Sequence, residues 1–306
     1  MTEASPRRRA RSLRPRSRQP TAPPQKRALA VIGTVVAPAT LLVALMYVFG
    51  LLHAYWFFRR FGVDYTLMGL TTQDYLLRSI DGLFVPLVTA SSVGLAVFWL
   101  GRCLPAALRN RARRIPRSLV LGVGSVVATA LLAVAVAGIL DPAWFAGSVA
   151  FPGLALTAAV VLFTALSRPR RSHHTPAPVL VAEWVAIFVL VSAGLYWAVT
   201  DYSASVGTER ADELIAALPA WPDTVVYSEK SLNLALPGVQ EHRCRDAEGA
   251  YAFRYDGLKL ILQSGGQLFL LPTQWVPVGG AAVVLPRTDA LRLEFIGPGE
   301  AATGTC

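Results

Sequence analysis

Five long apolar stretches, separated by loops that alternate between Arg-rich and Arg-poor, constrain this chain more than any other feature. Runs of this length are stable where lipid or other spans cover them, because no water-soluble fold of this size buries five such helices. The sequence therefore predicts a multi-pass membrane protein. Spans fall at about 28–52, 82–100, 119–140, 148–166 and 179–199.

Charge sets the expected orientation. Residues 1–200 hold 21 Lys/Arg against 6 Asp/Glu, whereas 201–306 hold 8 against 13. The formal charge of +10 thus reports positive residues beside spans rather than a nucleic-acid surface. Residues 1–27 carry nine cationic side chains and five prolines, too little apolar surface to order themselves. They read as a solvated cytoplasmic tail facing anionic headgroups, and nucleic acid is not expected because no aromatic residues interleave with the arginines. The loop holding Arg102, Arg109, Arg111, Arg113, Arg114 and Arg117 has no acidic residue, and Arg168, Arg170 and Arg171 precede the last span. The turn Asp141–Phe145 has no Lys or Arg. One topology satisfies every loop: N-terminus inside, C-terminus outside, five crossings.

After Thr200 short apolar runs alternate with Gly, Pro and charged residues, the rhythm of a water-soluble fold. Residues 201–306 are enough for one small core. Glu209 to Leu218 reads as a helix stopped by Pro219. Strand candidates follow at Thr224–Ser228, Ser231–Leu236, Ala250–Tyr255, Leu258–Gln263, Gln267–Leu271, Ala281–Leu285 and Leu291–Ile296. Gly265-Gly266 between apolar runs predicts a hairpin turn, and Asp256-Gly257 a second tight turn. The expected fold is a bundle of five transmembrane helices followed by a small, mostly antiparallel α+β domain outside the membrane.

Candidate sites are few. Thr71 reads as a helix cap with Asp74 in the first turn, and Asp74, Arg78 and Asp81 share one helical face as an ion-pair ladder at the outer rim. His53 near the outer end of span one and Glu183 about one turn into span five are ionisable groups inside or beside the membrane, which invites functional suspicion. Cys244 and Cys306 lie in the outer domain, where a disulfide between them is permitted, while Cys103 lies at the inner end of span two. The mixed cluster Glu241–Glu248 and the pair His173-His174 read as solvated loop residues. No pattern implies a metal or cofactor, and no catalytic set stands out, so the chain points away from an enzyme. Gly122, Gly124 and Ser125 suit close helix contacts, within the chain or in a homo-oligomer.

The stretch Tyr55 to Phe84, with Phe61-Gly62-Val63-Asp64 and Thr72-Gln73-Asp74-Tyr75-Leu76-Leu77-Arg78-Ser79, resembles one in uncharacterised multi-pass membrane proteins of actinobacteria. So does the run from Phe253 through Gly265-Gly266 to Phe269-Leu270-Leu271-Pro272 and Trp275. The resemblance implies a bacterial plasma membrane and no particular activity. Two functions are consistent with the whole sequence. The first is a non-enzymatic scaffold presenting an outer domain to a protein partner, envelope component or ligand. The second is a component of a transporter or channel with the outer domain as a gating module.

Overall fold

The computed structural model describes residues 36–103, 116–141, 145, 150–167, 176–245 and 249–297. The chain divides into two units, Met1–Leu42 and Val43–Cys306. Of the first, only the start of a helix is among the described residues, and the packing below concerns the second.

Among the described residues five α-helices come first: α1 (Ala37–Arg60), α2 (Thr72–Cys103), α3 (Arg117–Leu140), α4 (Phe151–Ser167) and α5 (Ala177–Ala217). Four helical stretches, Ala37–Arg60, Gly82–Leu100, Arg117–Leu140 and Pro178–Ala220, are long and apolar enough to cross a membrane. The fourth expected span is α4, apolar but only 17 residues long. Side chains such as Trp99, Val126 and Phe163 stand exposed along these helices. Apolar surface of that extent is stable in lipid rather than water.

Small residues let the last three helices approach. Gly124 faces the Leu166 side chain, Gly138 faces Pro152, and Gly153 lies against the backbone of Gly194 and Ala198. Gly122, expected to act likewise, meets open space. The basic tail, the Arg-rich loop around residues 104–115 and the loop carrying His173-His174 lie outside the described residues.

Six antiparallel strands follow among the described residues: β1 (Asp223–Ser228), β2 (Gln240–Arg243), β3 (Phe253–Ser264), β4 (Gln267–Pro272), β5 (Val283–Pro286) and β6 (Leu291–Ile296). Their order is β5-β4-β3-β1-β6, with β2 also pairing with β3. Sequence patterning locates β1, β4 and β6 closely, and β5 within two residues at its start.

Three expectations are corrected. Ser231–Leu236 is not a strand: Leu232, Leu234 and Leu236 instead form a loop packed on one sheet face beside Val226, Tyr255 and Leu258. Asp256-Gly257 is not a turn, because β3 runs unbroken through it as a bulge. The register slips there by one residue against β1, and Gly257 takes φ +85°, where it leaves Gly238 O close contact that a Cβ would block. Glu241, His242 and Arg243, read as part of a solvated loop, belong to β2 and pair along β3 with their side chains exposed.

The outer helix expected at Glu209–Leu218 is no separate element. It is the end of α5, which passes without a break through the boundary drawn at residue 200 and ends in a 3-10 turn, Leu218–Ala220. Lys259 then ties this exit to the sheet. Only 4% exposed, its ammonium donates to Trp221 O at 2.5 Å and pairs with Asp223 at 2.9 Å. A buried charge is tolerated when it is both paired and hydrogen-bonded in this way.

Both faces of the sheet are covered, which strand β4 makes plain. Leu268 and Leu270 point toward the leucine loop, while Phe269 and Leu271 point the other way. That second face is capped by the helix ends. Ala54, Phe57, Phe58 and Phe61 of α1 and its exit, Tyr75 of α2, Ala211 of α5 and Met68 from a 3-10 turn (Tyr65–Met68) share one core with Phe269, Leu271 and Trp275.

The hairpin tip is as predicted, with Gly265 at φ +54° and Gly266 at φ +74°. Its backbone also touches another element: a Cβ on Gly265 would fall 2.6 Å from Gly69 Cα and Met68 O, whereas one on Gly266 would meet nothing within 4 Å. Gly266→Ala should therefore lose about 1 kcal/mol from its left-handed backbone alone, and Gly265→Ala at least about twice that. Thermal unfolding of the two variants side by side checks this. Equal losses would mean that the hairpin tip is not docked.

Candidate functional site

The region that gathers polar groups is the junction between helix ends and sheet. Here α2 begins with a reciprocal cap. Asp74 Oδ2 accepts from the backbone N–H and the hydroxyl of Thr71, both at 2.8 Å, and Asp74 N–H donates to Thr71 Oγ1 at 3.3 Å. Residues 55–84 and 253–275 meet at this point, with Gly69 against Gly265 and Met68 and Tyr75 in one core with Phe269. The Thr71 N–H, then its hydroxyl, hold the Asp74 carboxyl below the ordinary carboxylate range, with smaller help from Arg78 and Ser264.

Two members of the expected ladder, Asp74 and Arg78, have described side chains. Asp74 is committed to the cap, and Arg78 lies half-buried over the Phe58 ring, 5.9 Å from its centroid. Burial pushes the Arg78 guanidinium below its ordinary value, and Asp74 opposes this. The Asp81 side chain lies outside the described residues.

A second gathering of polar groups lies at the end of α1. A cavity of about 280 Å³ is lined by Tyr55, Arg59, Gly62, Val63, Asp64 and Tyr65. The helix stops because the chain turns back over its last carbonyls: Gly62 N–H bonds Arg59 O and Val63 N–H bonds Phe58 O. Asp64 then caps the 3-10 turn, its Oδ1 accepting from Thr66 N–H at 2.9 Å and Thr66 hydroxyl at 2.8 Å, which lowers its carboxyl. On the helix side Arg59 donates to the Tyr55 hydroxyl at 2.5 Å and stacks over the rings of Tyr55 and Trp56. Tyr65 meets Tyr55 edge to face, with centroids 5.9 Å apart.

Composition along the chain gives no reason to join Tyr55 and Trp56 to Asp64 and Tyr65. The available signal was Gly62 as helix stop, followed two residues later by a carboxylate able to cap a new turn.

The remaining expected residues lie apart from this junction or in its core. His53 is buried, flanked by Phe49 and Phe57 with centroids 6.0 and 6.4 Å away, and its carbonyl faces Gly207 of α5. Glu183 lines an apolar groove of about 430 Å³ between α3, α4 and α5, together with Thr129 and Thr164. Cys103 is a free, exposed thiol at the end of α2. Cys244 is half-buried after β2, with its N–H on Ala252 O at 2.9 Å. Cys306 lies outside the described residues, as do Asp246 and Glu248 of the mixed cluster. The rest of that cluster is put to use on strand β2. Glu241 accepts from the buried Tyr255 hydroxyl at 2.8 Å, and His242 faces Asp256 at 3.5 Å.

Chemically, the junction offers charge-assisted hydrogen bonding and aromatic faces rather than a nucleophile beside a base. Among the described residues no three His, Cys, Asp or Glu side chains gather to hold a metal ion. Comparison with protein-family models, curated proteins and solved structures finds no match to the chain.

The cap makes a pH-dependent prediction. A carboxylate lowered in the folded state stabilises at neutral pH, and that contribution disappears as pH falls through its depressed value. Thr71→Ala should lose about 0.5–2 kcal/mol at pH 7. The stability gap between the parent and Asp74→Asn should close as pH drops below about 4. Melting curves in detergent across pH 3 to 7 provide the measurement, and a gap independent of pH would exclude an ionised cap.

Proposed function

We propose that the chain is a non-enzymatic scaffold of a bacterial plasma membrane that holds its sheet domain outside the cell in a fixed orientation toward a protein or envelope partner. The observation that carries this reading is the common core of α1, α2, α5 and β4. A domain meant to search for partners on a tether would be joined by a polar linker. Here a continuous helix enters the domain, and Arg60 of α1 also pairs with Asp212 of α5 at 2.7 Å. The exposed Val276 and Val278 after β4, the latter 89% exposed, offer an apolar contact point.

In this reading the five apolar helices cross the bilayer with the N-terminus in the cytoplasm, as the alternation of arginine-rich and arginine-poor loops supports. Helix α4 gives about 25 Å of apolar length, a shortfall that a bilayer absorbs by thinning locally. An outer location suits a Cys244–Cys306 bridge, which belongs to the same reading. The resemblance to actinobacterial membrane proteins belongs to the same reading.

A second reading, a transporter or channel component, draws on Glu183 in its groove. Glu183→Gln should leave ion or proton flux across proteoliposomes unchanged if the scaffold reading holds, and a flux abolished by this change would favour transport. Topology is tested with a membrane-impermeant thiol reagent on intact cells. Cys244 should label only after reduction, and Cys103 only after permeabilisation. Labelling of Cys103 on intact cells would invert the orientation and with it the scaffold reading.

A further inference from the structure

We propose that the cavity at the end of α1 binds a zwitterionic phosphate headgroup, with Arg59 taking the phosphate and Asp64, beside the Tyr55 and Tyr65 rings, taking the ammonium. The cavity presents two opposite charges that do not neutralise each other. Arg59 is engaged by Tyr55 and by ring faces, and Asp64 by Thr66. Among the described residues Arg59 and Asp64 form no ion pair with each other.

A cation and an anion held apart within about 280 Å³ match a ligand that carries the reverse charges a few bonds apart. A guanidinium with one donor used on Tyr55 keeps a fork for two phosphate oxygens. Oδ2 of Asp64 makes no hydrogen bond among the described residues and suits an ammonium, which aromatic faces also attract. The volume lies just below the roughly 300 Å³ at which ligand clefts commonly begin, fitting a headgroup better than a whole lipid.

Two sources share this chemistry: an aminophospholipid, or a free phosphoamine. The lipid source rests on α1 crossing a membrane, as proposed above, whereas the binding chemistry does not. The test uses the full chain, stripped of lipid in detergent, titrated with dihexanoyl-phosphatidylethanolamine, dihexanoyl-phosphatidylglycerol and O-phosphoethanolamine and followed by calorimetry.

The aminophospholipid should bind more tightly than the glycerol lipid. Arg59→Gln should weaken both lipids about tenfold. Asp64→Asn, which keeps a side chain able to cap the turn, should weaken only the amine-bearing one. Arg59→Lys, retaining charge but not the fork, should fall between parent and Arg59→Gln and serves if the latter unfolds. Binding of O-phosphoethanolamine as tight as that of the lipid supports the site and assigns it to a soluble ligand. Equal affinity for the two lipids, no binding of any ligand, or indifference to Asp64→Asn would overturn the proposal. None of these readouts depends on which way the chain crosses the membrane.

Discussion

The edge-on contact between aromatic rings of α1 and strand β4 is the interaction on which the second half of the molecule depends. Phe58 and Phe61 meet Phe269 at centroid distances of 5.4 and 5.6 Å, and Phe61 meets Trp275 at 5.1 Å. Tilted and edge-to-face pairs of this kind contribute about 0.5–1.5 kcal/mol each beyond the area they bury. Without them one face of the sheet would present Phe269 and Leu271 to water. The sheet cannot supply that cover itself, because its leucine loop is already spent on the opposite face.

Everything near this contact is arranged to let backbones approach. Gly207 admits α5 against the His53 carbonyl, Gly50 admits the Tyr75 carbonyl, and Gly265 admits the turn after α1. Polar groups then fix the register at the rim: Thr71 with Asp74 and Arg60 with Asp212. Each exposed pair is worth little alone. Their common effect is to make the apolar fit unique, so that helix ends and sheet form one packed body.

Local signals made much of this readable. Long apolar runs mark the helices by length and composition, Gly265-Gly266 marks the hairpin by its need for positive φ, and Thr71 with Asp74 marks a helix start. What failed was tertiary. Leu232, Leu234 and Leu236 alternate as a strand would, yet they pack as a loop because β2 takes the neighbouring place along β3. Asp256-Gly257 has the composition of a turn, but strand pairing on both sides stretches it into a bulge. Continuity of α5 was hidden because its composition changes near Thr200 while its helical geometry does not. The cavity of Arg59 and Asp64 was missed for a similar reason: its parts lie on either side of a helix stop, and Gly62 with Asp64 signals that stop and a new turn without showing which side chains the fold-back brings together.

The unbroken α5 also has a mechanical meaning. At about 1.5 Å per residue its 41 residues form a rod of about 60 Å. A rod this stiff acts as a lever arm. A tilt of about 10° at its apolar end displaces the other end by about 10 Å unless the rest of the packed body tilts with it. Because α1 and the sheet are clamped to that far end, a tilt of the helix is converted into a displacement of the sheet as a whole rather than absorbed in a hinge.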